Sequence, residues 1–374
     1  MPPSPRTTPL RLAIVNGMPG FDGAEVWMLD SAAALTARGH EVLLVVRPGG
    51  ELERRARSAG LPTAPIPIRW DTAPWTLARL WRRIRAHRPH AVLCHRLKDL
   101  KAAGPAARLA GVPVVLHTRE SDVALRPGRP YYRWYLNRVA TGVLVNSEAT
   151  GRTLRASAPW LPADRIHLLH KGIDLVRFRP SPPPPGAPTV GFAGQWTERK
   201  GLHALMAAWE RLRSAPDAPP RARLQLAGAG DLEPDLRAWR DRLPRPDEVE
   251  LLGRVEDMPA FYAGIHVLAM PSRSEGFGLA AAEALACARP VVGGNASSLP
   301  EVIRHGETGL LVPPDDPAAL AAALADLLTH PDRAAALGRA GRADVAARFD
   351  RESALDRLET LLSPAPPAPR KGTP

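Results

Sequence analysis

With 374 residues and 45% hydrophobic composition, the chain is long enough for two domains of roughly 100–200 residues, each burying its own core. No uninterrupted apolar run reaches the roughly 18–20 residues of a membrane-spanning helix. A net charge of +12, from 50 Lys+Arg against 38 Asp+Glu, admits nucleic acid, an anionic membrane or anionic substrates; only five lysines occur, and a GC-rich coding sequence would give the same arginine surplus, so charge alone selects none.

The opening MPPSPRTTPLRLAIVNG lacks the apolar region of a secretory signal, because its run at 10–15 is strand-length. Cys94 and Cys287 stand far apart without metal or redox spacing. A reducing cytoplasm is expected. LRLAIVNG reads as a buried strand ending in a turn; helical apolar spacing follows up to Gly39, and 41–46 is a second strand, which makes a βαβ unit. A helix at 76–86 precedes strand HAVLCH, one at 100–110 precedes VPVVLHT, and one at 131–140 precedes GVLVNS. Short apolar strands alternating with helices predict a parallel sheet covered on both faces. RPSPPPPGAP (179–188) breaks the alternation: four consecutive prolines fit neither a helix nor a central strand and predict a semi-rigid linker. Beyond it, strands TVGFAGQ, RLQLAGAG, VELLGRV, GIHVLAMPS and PVVGG alternate with helices, and helices fill 317–362. The expected organisation is α/β throughout: an N-terminal Rossmann-like domain at 1–178, the linker, a C-terminal one at 189–350, and a disordered tail at 363–374. Two such doubly wound parallel sheets face a cleft, with ligands beyond the strand C-termini.

Four loops at strand ends carry candidate chemistry. In NGMPGFDGAE, Gly17, Gly20 and Gly23 let the backbone approach a ligand, although no regular G-x-G-x-x-G is present and a plain βα turn fits equally. His117 lies just past a strand end in LHTRESD. Arg199 and Lys200 directly precede the glycine that starts a helix, and two cations beside a helix N-terminus suit a diphosphate. The fourth is SEGFGLAAAEALACARPVV (274–292), where free N–H groups of Gly276, Phe277, Gly278 and Leu279 can hold a pyrophosphate. Carboxylates cannot share phosphate oxygens, so Glu275 and Glu283 are expected to flank the phosphates and accept from hydroxyls of a sugar and a ribose. A solvated acid fits Glu275 as well, but fits Glu283 poorly, since its helix is otherwise apolar and a buried carboxylate needs partners.

This stretch resembles the E-x7-E signature of retaining glycosyltransferases of family 4, which have the two-domain GT-B fold. The resemblance extends to DGAE, VLVNSEAT, HKGIDLVRF, AGQWTERKGL, LAGAG and LPEVIRHGETGLLVPPDDP. It implies a hexosyltransferase taking its sugar from a nucleotide diphosphate sugar, with no metal cofactor. Glu275 would lie by the donor sugar and His117 would contact its ring, these two being the expected catalytic residues. Glu283 would bind the ribose, the amides of Gly276, Phe277, Gly278 and Leu279 the diphosphate and sugar, and Lys200 with Arg199 the phosphates. Gly23 and Gly194 complete the expected donor contacts. The final helix, 351–362, would cross back onto the N-terminal domain. Gln195 stands where a basic residue is frequent, Lys171 replaces an asparagine, and Ser297 and Ser298 replace a glycine pair.

The expected acceptor is a glycan or lipid-linked hydroxyl in bacterial glycan, lipopolysaccharide or glycolipid biosynthesis; a non-catalytic nucleotide-sugar-binding protein or a sugar-nucleotide epimerase is the alternative. No nucleic-acid motif accompanies the charge. In TLARLWRRIRAHR, Leu77, Leu80, Trp81 and Ile84 form one helical stripe with Arg79, Arg82 and Arg83 opposite, and YYRWYLNR again sets tyrosines beside arginines. The stripe faces either the domain core or an anionic bilayer, where it would give peripheral contact at the inner face of a membrane.

Overall fold

The computed structural model describes residues 8–68, 73–126, 129–216 and 219–364. Its contacts divide it into two units, one of residues 1–146, 151–169 and 354–374, the other of 147–150 and 170–353.

The first unit runs β1 (Arg11–Asn16), α1 (Gly23–Ala37), β2 (Glu41–Val46), α2 (Glu51–Ser58), β3 (Thr63–Pro65), α3 (Pro74–His87), β4 (Ala91–Cys94), α4 (Leu97–Leu109), β5 (Val114–Arg119), α5 (Tyr131–Trp134), β6 (Gly142–Val145), α6 (Glu148–Ser157) and β7 (Ile166–Leu168). A single π-helical turn, Tyr135–Val139, continues α5. The strands form one parallel sheet in the order β3-β2-β1-β4-β5-β6-β7. The strand side chains alternate between two cores. Ala13, Val15, Leu43, Val45, Val92 and Val115 pack with Leu80, Ile84, Leu100 and Ala103 of α3 and α4. Leu12, Ile14, Val42, Leu44, Leu93 and Leu116 pack on the other face with α1 and α2. Burial on both faces is why these strands read as continuous apolar runs.

The second unit runs β8 (Thr189–Ala193), α7 (Leu202–Ser214), β9 (Arg223–Ala227), α8 (Glu233–Arg242), β10 (Val249–Gly253), α9 (Met258–Ala263), β11 (Val267–Met270), α10 (Leu279–Ala286), β12 (Val291–Gly294), α11 (Leu299–Val302), β13 (Gly309–Val312), α12 (Pro317–Thr329) and α13 (Pro331–Arg348); α14 (Arg351–Leu362) follows. Its parallel sheet has the order β10-β9-β8-β11-β12-β13. Val190, Phe192, Leu224 and Val267 pack against α7, α8 and α12, while Leu268, Met270 and Val291 pack against α9 and α10.

In each sheet the order reverses beside the first strand of the unit, between β1 and β4 and between β8 and β11. Loops leaving the carboxyl ends at such a switch point diverge and leave room for a ligand. The candidate loops after β1, β8 and β11 all lie there.

Three features bear on the sequence expectation, and the first moves a boundary. Residues 170–178 group with the second unit, because Ile173 and Phe178 are buried in its core with Tyr262 and Phe349. The proline segment is tied down at Ser181 and Pro182. Arg289, 3% exposed, donates to the carbonyl oxygens of Ser181, Pro182, Tyr262 and Ala263 and to Ser181 Oγ. On α3, Leu80 and Ile84 are buried and Trp81 packs against the same core, so the apolar stripe faces inward; the exposed aromatics are Trp75 on α3 and Trp134 on α5.

In α14, Leu355, Leu358 and Leu362 are buried in the core that holds Leu12 and Ile14. Arg38 donates to Glu359 at 2.8 Å and to Asp356 at 2.7 Å, and His40 Nε2 lies 3.2 Å from Glu359. The tail from 365 lies outside the described residues. Among the described residues, no helix is long and apolar enough to cross a membrane.

Candidate functional site

In the second unit the site is built from the ends of β8 and β11. From Ala193 the chain passes Gly194 into the short turn Glu198–Lys200, and Gly201, with φ +71, leads into α7. A Cβ on Gly201 would sit 2.0 Å from the Pro271 carbonyl oxygen, so only glycine lets this turn close on the end of β11. The closure sets Lys200 against Glu275: Lys200 Nζ donates to Glu275 Oε1 at 2.5 Å, and Ser272 Oγ donates to the same oxygen at 2.8 Å. Both charged residues are buried, Glu275 at 6% and Lys200 at 8% exposure. Arg199 is exposed; its Nη2 donates to Gln195 Oε1 at 2.6 Å, so the glutamine at the frequently basic position orients the arginine.

The Glu275 main chain is fixed as well. Its carbonyl oxygen accepts from Ser297 Oγ at 2.6 Å and Ser298 Oγ at 3.1 Å. Ser297 holds φ +55, a conformation glycine adopts without strain, so the serine pair keeps the glycine-like turn and adds two donors. Phe277 is buried between His170 and Phe349. Gly278, with φ +94, then starts α10. No side chain caps this helix, so its first N–H groups have no acceptor within it and favour an anion. One turn in, Glu283 is half-buried, and its Oε2 accepts from the Tyr262 hydroxyl at 2.8 Å. Burial, with Glu283 alongside, pushes the Tyr262 hydroxyl well above its usual range and keeps it a donor. Glu283 thus has the partner that its apolar helix demanded.

In the first unit, His117 lies near the end of β5. Burial, with Arg119 adding positive charge, lowers its imidazole to about 4, so it is neutral near pH 7. Nδ1 lies 3.3 Å from the Cys94 carbonyl oxygen, which can only accept; the proton therefore sits on Nδ1 and Nε2 is left as an acceptor. Gly23 opens α1, after a loop shaped by buried acids. Gly17 N–H donates to Asp99 Oδ1 at 2.9 Å and Asp22 N–H to Glu25 Oε2 at 3.1 Å, while Asn16 Nδ2 donates to Glu25 Oε1 at 3.1 Å. Burial would raise Glu25, but His95, Asn16 and Arg96 outweigh it and hold the carboxyl at about 2. For Asp99 burial dominates over Gly17, His95 and Arg96 and pushes it up to about 6.

The structure brings Lys200, Glu275, Arg199 and the start of α10 together in one unit and holds His117 and Gly23 in the other. Sequence reasoning missed Tyr262, Ser272, Glu25 and Asp99. The D-x-x-E spacing of Asp22 and Glu25 is a capping-box signal that could have found Glu25. Nothing local marks Tyr262, which reaches Glu283 from another helix.

Residues 21–177 match the family profile described as Glycosyltransferase Family 4, and residues 187–330 the one described as Glycosyl transferases group 1. The GDP-mannose-dependent alpha-(1-6)-phosphatidylinositol monomannoside mannosyltransferase of Mycobacterium tuberculosis is 31% identical over 309 residues, covering 77% of this chain and 80% of its own. The D-inositol 3-phosphate glycosyltransferase of Xylanimonas cellulosilytica is 30% identical over 370 residues, covering 86% and 87%. Among solved structures, Anabaena HepE in complex with UDP and glucose superposes with a TM-score of 0.80 at 20% identity, over 94% of this chain and 99% of that one. Sucrose-phosphate synthase from Thermosynechococcus elongatus gives 0.74 at 25% identity, over 94% and 97%. On this evidence the chain belongs to glycosyltransferase family 4 and is a nucleotide-sugar glycosyltransferase with the GT-B fold.

Proposed function

We propose that the chain transfers a hexose, with retention of configuration, from a nucleoside diphosphate sugar to a hydroxyl of a membrane-borne acceptor. The observation that carries this reading is the cluster at the switch point of the second sheet: uncapped α10 flanked by Glu275 on Lys200 and Glu283 on Tyr262. The amides at the start of α10, with Arg199, take the diphosphate. Lys200 shares its charge between Glu275 and a phosphate oxygen. Glu283 accepts from the ribose, held in register by Tyr262. Glu275 and the free Nε2 of His117 accept from sugar hydroxyls, and Glu275 stabilises positive character as it develops at the sugar. The acceptor oxygen bonds to the anomeric carbon as the bond from that carbon to the β-phosphate oxygen breaks, and the acceptor proton passes to the departing phosphate. With the phosphates met by Arg199, Lys200 and α10, no metal is required, and turnover is expected to survive EDTA.

The M. tuberculosis relative is named for GDP-mannose and a phosphatidylinositol mannoside, so GDP-mannose is the first donor to examine. A surface feature supports a membrane-borne acceptor. Helices α3, α4 and α5 expose Arg79, Arg82, Arg83, Lys98, Arg108 and Arg133, and their one acid, Asp99, is buried. With Trp75 and Trp134 exposed beside them, this surface matches an anionic bilayer.

The test is a thermal-shift panel of GDP-, UDP- and ADP-sugars, followed by NMR of the product linkage. A ligand at a hundred times its Kd stabilises the fold by about 2.7 kcal/mol. One donor class should stand out and the product should keep the donor's anomeric configuration. An inverted product, or no shift with any donor, defeats the reading.

A further inference from the structure

The loop from Gly17 to Asp22, which leaves β1 at the switch point of the first sheet and leads to Gly23, is held by side chains. Asn16 Oδ1 accepts from Met18 N–H at 2.9 Å, Glu25 Oε2 from Asp22 N–H at 3.1 Å, and Asp99 Oδ1 from Gly17 N–H at 2.9 Å. Glu25 and Asp99, one at each end of the loop, are both 1% exposed. Asp99 stands 82 residues from Gly17, in the first turn of α4, and its second oxygen, Oδ2, accepts from Arg96 N–H at 3.0 Å. The approach at Gly17 is close: a Cβ there would sit 3.2 Å from Asp99 Oδ1 and 3.0 Å from Ile68 Cβ. His95 N–H donates to the Val15 carbonyl oxygen at 3.0 Å and ties the approach to α4 to the end of β1. With an amide on each oxygen, the arrangement fits only a carboxylate, because a carboxylic acid would turn an O–H toward one of two N–H donors. The two acids differ in how firmly they hold the charged form. Glu25, at about 2, stays charged. Asp99, pushed up to about 6 by burial against Gly17, His95 and Arg96, ionises close to neutrality. The other groups facing Asp99 are Cys94, whose thiol is raised by burial and by Asp99, and, across His95 and Arg96, Glu25, whose Oε1 lies 3.5 Å from His95 Nε2 and 3.6 Å from Arg96 Nη2.

We infer that Asp99 is a positioning residue for the transfer reaction: as a carboxylate, and only as one, it fixes the β1–α1 loop in the shape that presents Gly23 to the nucleotide sugar. The inference deepens the proposed function and rests on the expectation that Gly23 contacts the donor. Protonation of Asp99 releases Gly17 or Arg96, and the loop then keeps its anchor at Glu25 while its other end loosens. The loop-holding form is therefore complete above about pH 6 and is lost as pH falls through that value. His117, at about 4, and Glu25, at about 2, lie below this interval. A donor that needs the ionised form meets about one tenth of the molecules in it at pH 5, so its apparent affinity falls about tenfold from the value above pH 7.

The test uses the full chain and follows binding of GDP-mannose, or of the donor that the thermal-shift panel puts in its place, by calorimetry between pH 5 and pH 7.5. A sugar diphosphate esterified at both ends carries no proton that titrates there, so the profile belongs to the protein. Wild type should bind about tenfold more weakly at pH 5 than at pH 7.5. Asp99→Asn offers one oxygen to two amides and imitates the protonated acid. It should bind roughly two- to tenfold more weakly than wild type at pH 7.5, the range for one lost hydrogen bond, and its affinity should no longer fall with pH. A role confined to capping α4 would lower Tm and leave the fall in place. Asp99→Ser, with one acceptor and no titration, serves in the same comparison if Asp99→Asn does not fold. A wild-type affinity that is flat from pH 5 to 7.5, or a folded Asp99 variant that shows the same acid fall as wild type, overturns the inference. Gly23→Val at pH 7.5 checks the underlying expectation separately. Unchanged donor binding there removes Gly23 from the donor and takes the inference with it, whereas a loss there combined with a flat wild-type profile defeats the role of Asp99 alone.

Discussion

Lys200 and Glu275 form a pair whose two charges should stand or fall together. Their side chains are 11% and 7% exposed, so solvent screens them little. Removing one partner of such a pair leaves the other charge desolvated and costs about 3–5 kcal/mol, while replacing both with apolar groups of similar volume is often close to neutral. Lys200→Met and Glu275→Leu are each expected to lower stability by that amount; the double variant should unfold within about 1 kcal/mol of wild type. Urea titration followed by tryptophan fluorescence reads this, because Trp196 and Trp209 are both buried in the core of the unit that carries the pair. Addition of saturating donor separates stability from function. The wild type should gain stability from the donor, whereas the double variant should gain far less, having lost the proposed phosphate cation and sugar acceptor. A double variant as unstable as the two single losses combined would refute the reasoning, because it would mean that the charges do not compensate each other.

Glu283→Ala should weaken donor binding about ten- to a hundredfold, while Tyr262→Phe, which removes only the hydroxyl that orients it, should cost less; calorimetry with the donor checks both. Glu275→Ala should reduce kcat more than donor affinity, and equal losses in the two would contradict its role at the reacting sugar. The pH dependence of stability should show two opposing slopes. His117, lowered from 6.5 to about 4, contributes stability that is complete above its unfolded value and is lost as pH falls through that interval. Asp99, raised from 3.8 to about 6, keeps its proton in the folded state where the unfolded chain has lost it, so its ionisation subtracts stability as pH rises through that range. Asp99→Asn should therefore steepen the gain in urea midpoint between about pH 4 and 6, and a profile parallel to wild type would show that Asp99 does not titrate there. Replacing Arg79, Arg82 and Arg83 with glutamine should reduce co-sedimentation with anionic vesicles at low salt, and an unchanged bound fraction would remove α3 from the proposed membrane surface.

What the sequence made legible was local. Continuous apolar strands such as 12–15 and 42–46 announced parallel sheets, because such strands are buried on both faces. The spacing of Glu275 and Glu283 announced a carboxylate on each side of a helix start. The contacts that complete the site were not legible, because they join residues distant in sequence. Tyr262 meets Glu283 from α9, and Ser297 and Ser298 reach back to the Glu275 carbonyl from beyond β12. Composition could not show the anchorage at the prolines: the run reads as a semi-rigid linker, and it is Arg289, more than a hundred residues further on, that fastens it to the second unit at Ser181 and Pro182. On α3 the helical period was right but left the covering open between core and bilayer, since the period of Leu80 and Ile84 says only that the stripe is apolar; the structure turns it to the core.

The burial of Leu355, Leu358 and Leu362 in the first unit's core has a consequence for how the protein is made. That unit's chain is otherwise complete at Leu169, but its last segment starts at Ala354, 185 residues later. At roughly 5–20 residues per second, a ribosome needs on the order of ten to forty seconds to supply it. Throughout that interval the face that awaits α14, including the basic and imidazole groups of Arg38 and His40 that pair with Glu359, is without its cover. The second unit, by contrast, receives its long segment from His170 to Ser353 without interruption. The order of synthesis therefore runs against the order of assembly: the part of the enzyme translated first is finished last, and its nascent apolar face is the natural place for a chaperone to wait.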